Sequence, residues 1–245
     1  MLGAMRRTRR HIARRELLGG SRRRFDYDRR LLPNPRVAEL EPVEVSARDE
    51  LTEATSWSIG YPAWNLLYYT LYASILPEQD DVVVLETGTN RGVSTIVMAQ
   101  ALKDLGVEAV LDTVELDPDL AEAARENVER AGVADRVRLH NGDAIEFLGE
   151  MAERHDHFDF VLIDDLHTFD QVWKEVEIVA PKVEARGGKI YFDNTGYGDV
   201  DRAILKLRKE YGGNLVTFDN CSYAPPGNAI WQPEVRDLEE GAADR

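Results

Sequence analysis

Cysteine is almost missing: Cys221 is the single one in 245 residues. That excludes an intrachain disulfide and fits a reducing compartment, so the expected location is the cytoplasm. No apolar run approaches the ~20 residues needed to span a bilayer. The longest candidate, residues 64–76, contains Asn65, Thr70, Ser74 and three tyrosines and reads as a packed helix. The arginine-rich start is followed by no apolar segment, so neither a secretory nor a twin-arginine signal is expected there. Two phosphate-binding signatures are absent as well, the G-x-G-x-x-G of dinucleotide sites and the Gly-Lys-Ser/Thr of a Walker A loop. No internal repeat is visible.

What is present is enough apolar material, 43% of residues, to bury one core of roughly 200 residues with appendages. Charge is divided unevenly. Residues 1–30 hold 11 arginines against Glu16, Asp26 and Asp28, a balance of +8 that leaves −23 on the remainder. Two readings of this basic arm stand: a contact with nucleic acid or anionic lipid, or a disordered extension. Residues 31–80 read as a linker with Pro33, Pro35 and Pro42, then aromatic helices. Trp57, Tyr61, Trp64 and Tyr68 fall at helical spacing there, and Trp57 and Tyr61 are candidates for lining a pocket. The core is expected over 81–232, and 233–245 reads as an acidic tail.

Within the core, strand and helix patterns alternate. Val82 to Leu85 is a short, mostly β-branched run that suggests a strand buried on both faces, ended by Glu86. Helix follows from Val93, then a strand over 110–116 and a helix from Pro118 to Ala131, with Asp117 as cap and Gly132 as stop. Strands over 136–140, 158–163 and 189–192 alternate with helices over 144–154, 168–179 (ending before Pro181) and 199–211. Two late strands are expected near 215–218 and 229–231. This order implies an α/β, doubly wound, mostly parallel sheet with helices on both faces.

Ligands of such sheets bind at the carboxyl edge of the strands. Every strand end there is acidic: Glu86, Glu115, Asp143, Asp164 with Asp165, and Asp193. Mutual repulsion among such groups calls for a compensating cation or donor groups. The first turn reads E-x-G-x-x-x-G, with Gly88, Asn90 and Gly92, and permits close backbone approach.

This stretch resembles the first motif of class I S-adenosylmethionine-dependent methyltransferases, in the variant of the catechol and caffeoyl-CoA O-methyltransferases. The resemblance spans 82–231 and implies a Rossmann-like methyltransferase fold with seven strands. It implies that Glu86 meets the ammonium group of S-adenosylmethionine, and that Gly88, Thr89, Asn90, Gly92 and Ser94 line the donor. Glu115 then holds the ribose diol, and Asp143, beside Ala144, accepts from the adenine amino group or caps the next helix. Asp164, Asp193 and Asn194 match the family's Mg2+ ligands, three hard oxygen donors, with Asp164 also at the donor. His167 stands where these enzymes usually carry lysine. The segment IDDLHTF is closer to the D-x-x-H form of a related branch that methylates natural products and sugars, and it makes His167 the candidate base.

The expectation is a metal-dependent O-methyltransferase acting on a small hydroxylated molecule, with a homodimer expected by analogy. Two alternatives stay open. One is a metal-independent sugar or polyketide O-methyltransferase. The other is a nucleic-acid-associated protein docked by the arginine arm, although the N-P-P-Y-like motif of amino-methylating enzymes is absent.

Overall fold

The computed structural model describes residues 34, 36, 37, 63–218 and 227–234. The basic arm, the acidic tail from 235, Trp57, Tyr61 and Cys221 lie outside the described residues.

Seven strands form one sheet: β1 (Val84–Thr87), β2 (Leu111–Glu115), β3 (Val137–Asn141), β4 (Phe160–Ile163), β5 (Lys189–Phe192), β6 (Asn214–Phe218) and β7 (Asn228–Gln232). Their order is β3-β2-β1-β4-β5-β7-β6. The first five are parallel, and β7 enters antiparallel between β5 and β6. The chain runs outward from β1 to β3, then returns to place β4 against the other side of β1. That reversal opens a crevice above the carboxyl ends of β1 and β4, where α/β sheets bind ligands.

Strand β1 has neighbours on both sides and all four of its residues are buried. It begins two residues later than the apolar run suggests, because the hydrogen bonds to β2 and β4 extend through Glu86 and Thr87. Glu86 therefore sits inside the strand instead of ending it, and it is 0% exposed.

Six α-helices are described: α1 (Ala63–Tyr72), α2 (Val93–Leu105), α3 (Pro118–Ala131), α4 (Ala144–Arg154), α5 (Phe169–Glu184) and α6 (Gly198–Tyr211). The turn-to-helix chemistry follows the sequence. Asp117 and Asp143 accept from the first backbone amides of α3 and α4, and Thr168 does so for α5. Each satisfies donors that a helix start leaves unpaired. Helix α2 is buried along most of its first two turns, Val93 to Ala99, as expected of a helix held between the sheet and another layer. Helix α1 packs on it through Leu67 and Leu71 and buries Trp64, but leaves Tyr69 and Tyr72 exposed. The aromatic run is thus only partly core.

Helix α5 continues through Pro181, where the sequence suggests a stop. Pro181 and Glu177, whose carbonyl loses its bond, are both exposed, so water replaces the missing donor. The buried face of α5 (Val172, Val176, Val179, Val183) packs with α4, α6 and the sheet. No helix among the described residues is long and apolar enough to cross a membrane.

Candidate active site

The site has two halves that meet at one glycine. Gly88 adopts φ +84, and its amide donates to Val114 O at 3.0 Å. A Cβ placed there would lie 2.1 Å from the carbonyl oxygen of Asp164. Only glycine fits, both for its backbone angle and for this contact. The close approach the turn permits is made first of all with the chain's own β4 terminus.

The first half belongs to β1 and β2. The Glu86 carboxylate accepts from the hydroxyls of Ser94, Thr95 (2.6 Å) and Thr113 (2.6 Å). Thr113 is in turn paired with Thr89, which is 1% exposed. Burial pushes the Glu86 carboxyl up, and the three hydroxyls counteract that. The Glu86 side chain is enclosed and turned to the hydroxyls of β2 and α2. Thr89 and Ser94 also direct their hydroxyls inward. Gly92, with φ +84, starts α2, and its carbonyl accepts from Ile96.

Glu115 stands at the rim. Its Oε2 accepts from Asn90 N (2.7 Å) and its Oε1 from Asp117 N (2.9 Å). Each oxygen of a carboxylate has room for a second donor, so the bidentate capacity persists. Asn90 makes the bend with φ 49. Asp143 Oδ1 accepts from Ile145 N and Glu146 N at 2.9 and 3.1 Å. It is an exposed cap, and Ala144 behind it is buried.

The second half belongs to β4 and β5. The ends of these strands bring together Asp164, Asp165, His167, Asp193 and Asn194. His167 Nε2 lies 3.5 Å from Asp164 Oδ1, and Asn194 hydrogen-bonds the same side chain. The Nε2 atom is buried and makes no hydrogen bond of its own. Burial lowers the imidazole pKa below its ordinary value, opposed by the charges of Asp193 and Asp165. The ring is therefore neutral at pH 7. Tyr197 lies over it, with ring centroids 4.9 Å apart.

Asp193 is 3% exposed. Its Oδ1 accepts from Asn194 N (2.8 Å) and from Asn228 Nδ2. Burial, then the Asp164 charge, pushes its carboxyl up to about 8. Asp164 is raised well above the usual range by burial and by Glu86 and Asp165.

The donor set suits a divalent cation. Half-buried Asp164 and buried Asp193 offer carboxylates and Asn194 a carboxamide, hard oxygens of the type Mg2+ takes. Among the described residues no group of three or more His, Cys, Asp or Glu is arranged to hold a metal ion. Any ion held here keeps water or substrate oxygens in its remaining positions.

Sequence reasoning misses three residues. Asn228 comes from β7, 35 residues from its partner Asp193, and no local pattern links them. Thr113 looks like an ordinary strand residue. Glu175 looks like part of a charged helix face, yet it is 0% exposed beneath the site. Its signal is its position, three residues after Val172 and four before Val179, on the apolar side of α5.

Comparison with known proteins places the chain in a family. Residues 85–195 match the family described as a methyltransferase domain. A catechol O-methyltransferase of Mycobacterium tuberculosis is 44% identical over 156 residues, covering 60% of this chain and 67% of the relative. One from Niastella koreensis is 42% identical over 121 residues, covering 49% and 52%. The chain thus spans about half the length of the latter. Among solved structures, the O-methyltransferase from Bacillus cereus in complex with SAH superposes with a TM-score of 0.63 at 19% identity, over 83% of this chain and 93% of that one. At that identity it speaks for the fold.

Proposed function

The chain belongs to the class I S-adenosylmethionine-dependent O-methyltransferases, and from that premise we propose that it methylates a hydroxyl of a small catechol-like or natural-product acceptor. The observation that carries this reading is the imidazole of His167 at the ends of β4 and β5, whose buried Nε2 has no hydrogen bond and lies 3.5 Å from Asp164 Oδ1.

We assign the donor to the crevice between Gly88 and Glu115, and the acceptor to the cleft of Asp164, His167, Asp193 and Asn194. S-adenosylmethionine supplies an electrophilic methyl group on a sulfonium centre. Asp164, Asp193 and Asn194 would hold a divalent cation, which we read as Mg2+, and such an ion would supply acidification of a hydroxyl bound to it. His167 takes the hydroxyl proton at Nε2. Asn194 and Tyr197 hold its ring. Glu115 has acceptor capacity left for the two ribose hydroxyls, while Asp143 and Ala144 border the adenine. Glu86, Thr89 and Ser94 brace the turn from within. The fold's contribution is alignment of two reactants in a cleft that excludes water. The single cysteine supports a cytoplasmic location.

Calorimetry with S-adenosylmethionine tests the donor, and absence of binding at millimolar concentration overturns the reading. Release of S-adenosylhomocysteine over a panel of catechols, flavonoids and sugars identifies the acceptor. Turnover that survives EDTA removes the cation and leaves the transferase.

A further inference from the structure

Glu175 sits mid-way along α5, on the side that carries Val172, Val176 and Val179. A fully buried carboxyl there is costly unless it is hydrogen-bonded, and an apolar side chain of the same size is cheaper. Its partners account for it. Thr87 Oγ1 donates to Oε2 at 2.8 Å. Gln171 Nε2 donates to Oε1 at 3.2 Å and also to Asp165 Oδ2 at 2.7 Å. Gln171 thus bridges the two carboxyls side by side. Burial, then the Asp165 charge, pushes the Glu175 carboxyl well above its ordinary range.

The bridge matters because of where Asp165 stands. Asp164 precedes it and His167 follows two residues later. Thr87, the other end of the bridge, also accepts Asp164 N through its carbonyl at 3.1 Å. One buried point beneath β1 thus holds the main chain of Asp164 and, through Glu175 and Gln171, the side chain of Asp165. Thr168 closes the far end of the loop by capping α5.

We propose that Glu175 is a positioning residue: acting through Asp165 and Thr87, it fixes the short loop that presents Asp164 and His167 to the cleft. This rests on the proposed function in so far as the loop serves methyl transfer.

The test compares Glu175→Met, which keeps the volume and removes the bridge, with Glu175→Gln, which can still accept from Thr87 and hydrogen-bond Gln171. Glu175→Met is expected to lower kcat about 10–100-fold, the cost of a reacting group displaced by a fraction of an ångström to an ångström. KM for S-adenosylmethionine should stay at the parent value, while the unpaired Thr87 hydroxyl lowers the melting temperature modestly. Glu175→Gln should stay within about 3-fold of the parent. Parent-like turnover in Glu175→Met overturns the proposal, as does a Glu175→Gln variant no better than it. If Glu175→Met does not fold, Gln171→Leu removes the amide that bridges the two carboxyls. It should lower kcat several-fold, and no loss overturns the proposal.

NMR of the His167 imidazole in the ligand-free protein gives a readout independent of turnover. The signals should move in Glu175→Met and stay in Glu175→Gln; unmoved signals in the former overturn the inference. A parent protein that binds no S-adenosylmethionine tells against the function instead, and the imidazole measurement still decides the role of Glu175.

Discussion

The two halves of the cleft handle buried acid in opposite ways. At the end of β1, Glu86 is enclosed and supplied with three hydroxyl donors from β2 and α2. At the ends of β4 and β5, Asp164 and Asp193 are both raised by burial, Asp164 further by Glu86 and Asp165, and Asp193 further by Asp164. The same residue type is a brace in one half and a reactive surface in the other. What separates them is the supply of donors, not the count of carboxylates. A buried acid with its partners in place contributes to stability, whereas one left short of them is stabilised only when a cation or substrate arrives.

The sharpest way to break this contrast is Asp193→Ala. It is expected to cost about 10²–10³-fold in turnover, as removal of one preorganised electrostatic group does, and to lower the melting temperature because the buried Asn228 amide loses its acceptor. S-adenosylhomocysteine release and thermal melts check the two outcomes together. Glu86→Ala is the mirror experiment. It orphans three buried hydroxyls and should cost about 2–4 kcal/mol of stability by urea unfolding; a variant as stable as the parent would erase the distinction.

A third measurement uses pH. Asp193 is raised when folded, so its contribution is full below the ordinary carboxylate pKa and is lost as pH climbs through about 8. Metal-free protein should therefore lose up to about 2 kcal/mol between pH 6 and 8, and Mg2+ should restore more at pH 8 than at pH 6. Turnover responds the other way: it should fall at acid pH, with an apparent pKa below the ordinary imidazole value, as neutral His167 is protonated. The smallest expected effect is Asp143→Ala. It removes the cap of α4, worth about 1 kcal/mol in a melt, and weakens S-adenosylmethionine binding if the carboxylate also meets adenine.

The contrast also explains what could be read from sequence. Caps and stops such as Asp117, Gly132 and Thr168 act within a few residues, so α3 and α4 are found at their true bounds. The strand-end acids of β4 and β5 could be grouped because parallel topology sets them side by side. What escapes is set by partners far along the chain. The two-residue shift of β1 depends on pairing with β2 and β4. The enclosure of Glu86 depends on Thr113, 27 residues away, and the setting of Asp193 on Asn228 across the antiparallel pairing of β5 with β7. Pro181 is tolerated because of which side of α5 faces water, and Glu175 is buried because of what lies under that helix.

The contact between Gly88 and the Asp164 carbonyl has a consequence for how such a protein diversifies. The partition between the two halves is bare main chain, with no side chain that substitution could enlarge, trim or recharge. New acceptor preferences have to be written on the perimeter instead, where Leu166 (60% exposed) and Tyr197 (44%) border His167. Evolution and protein engineering are thereby steered to the same small margin, while the wall behind it stays constant.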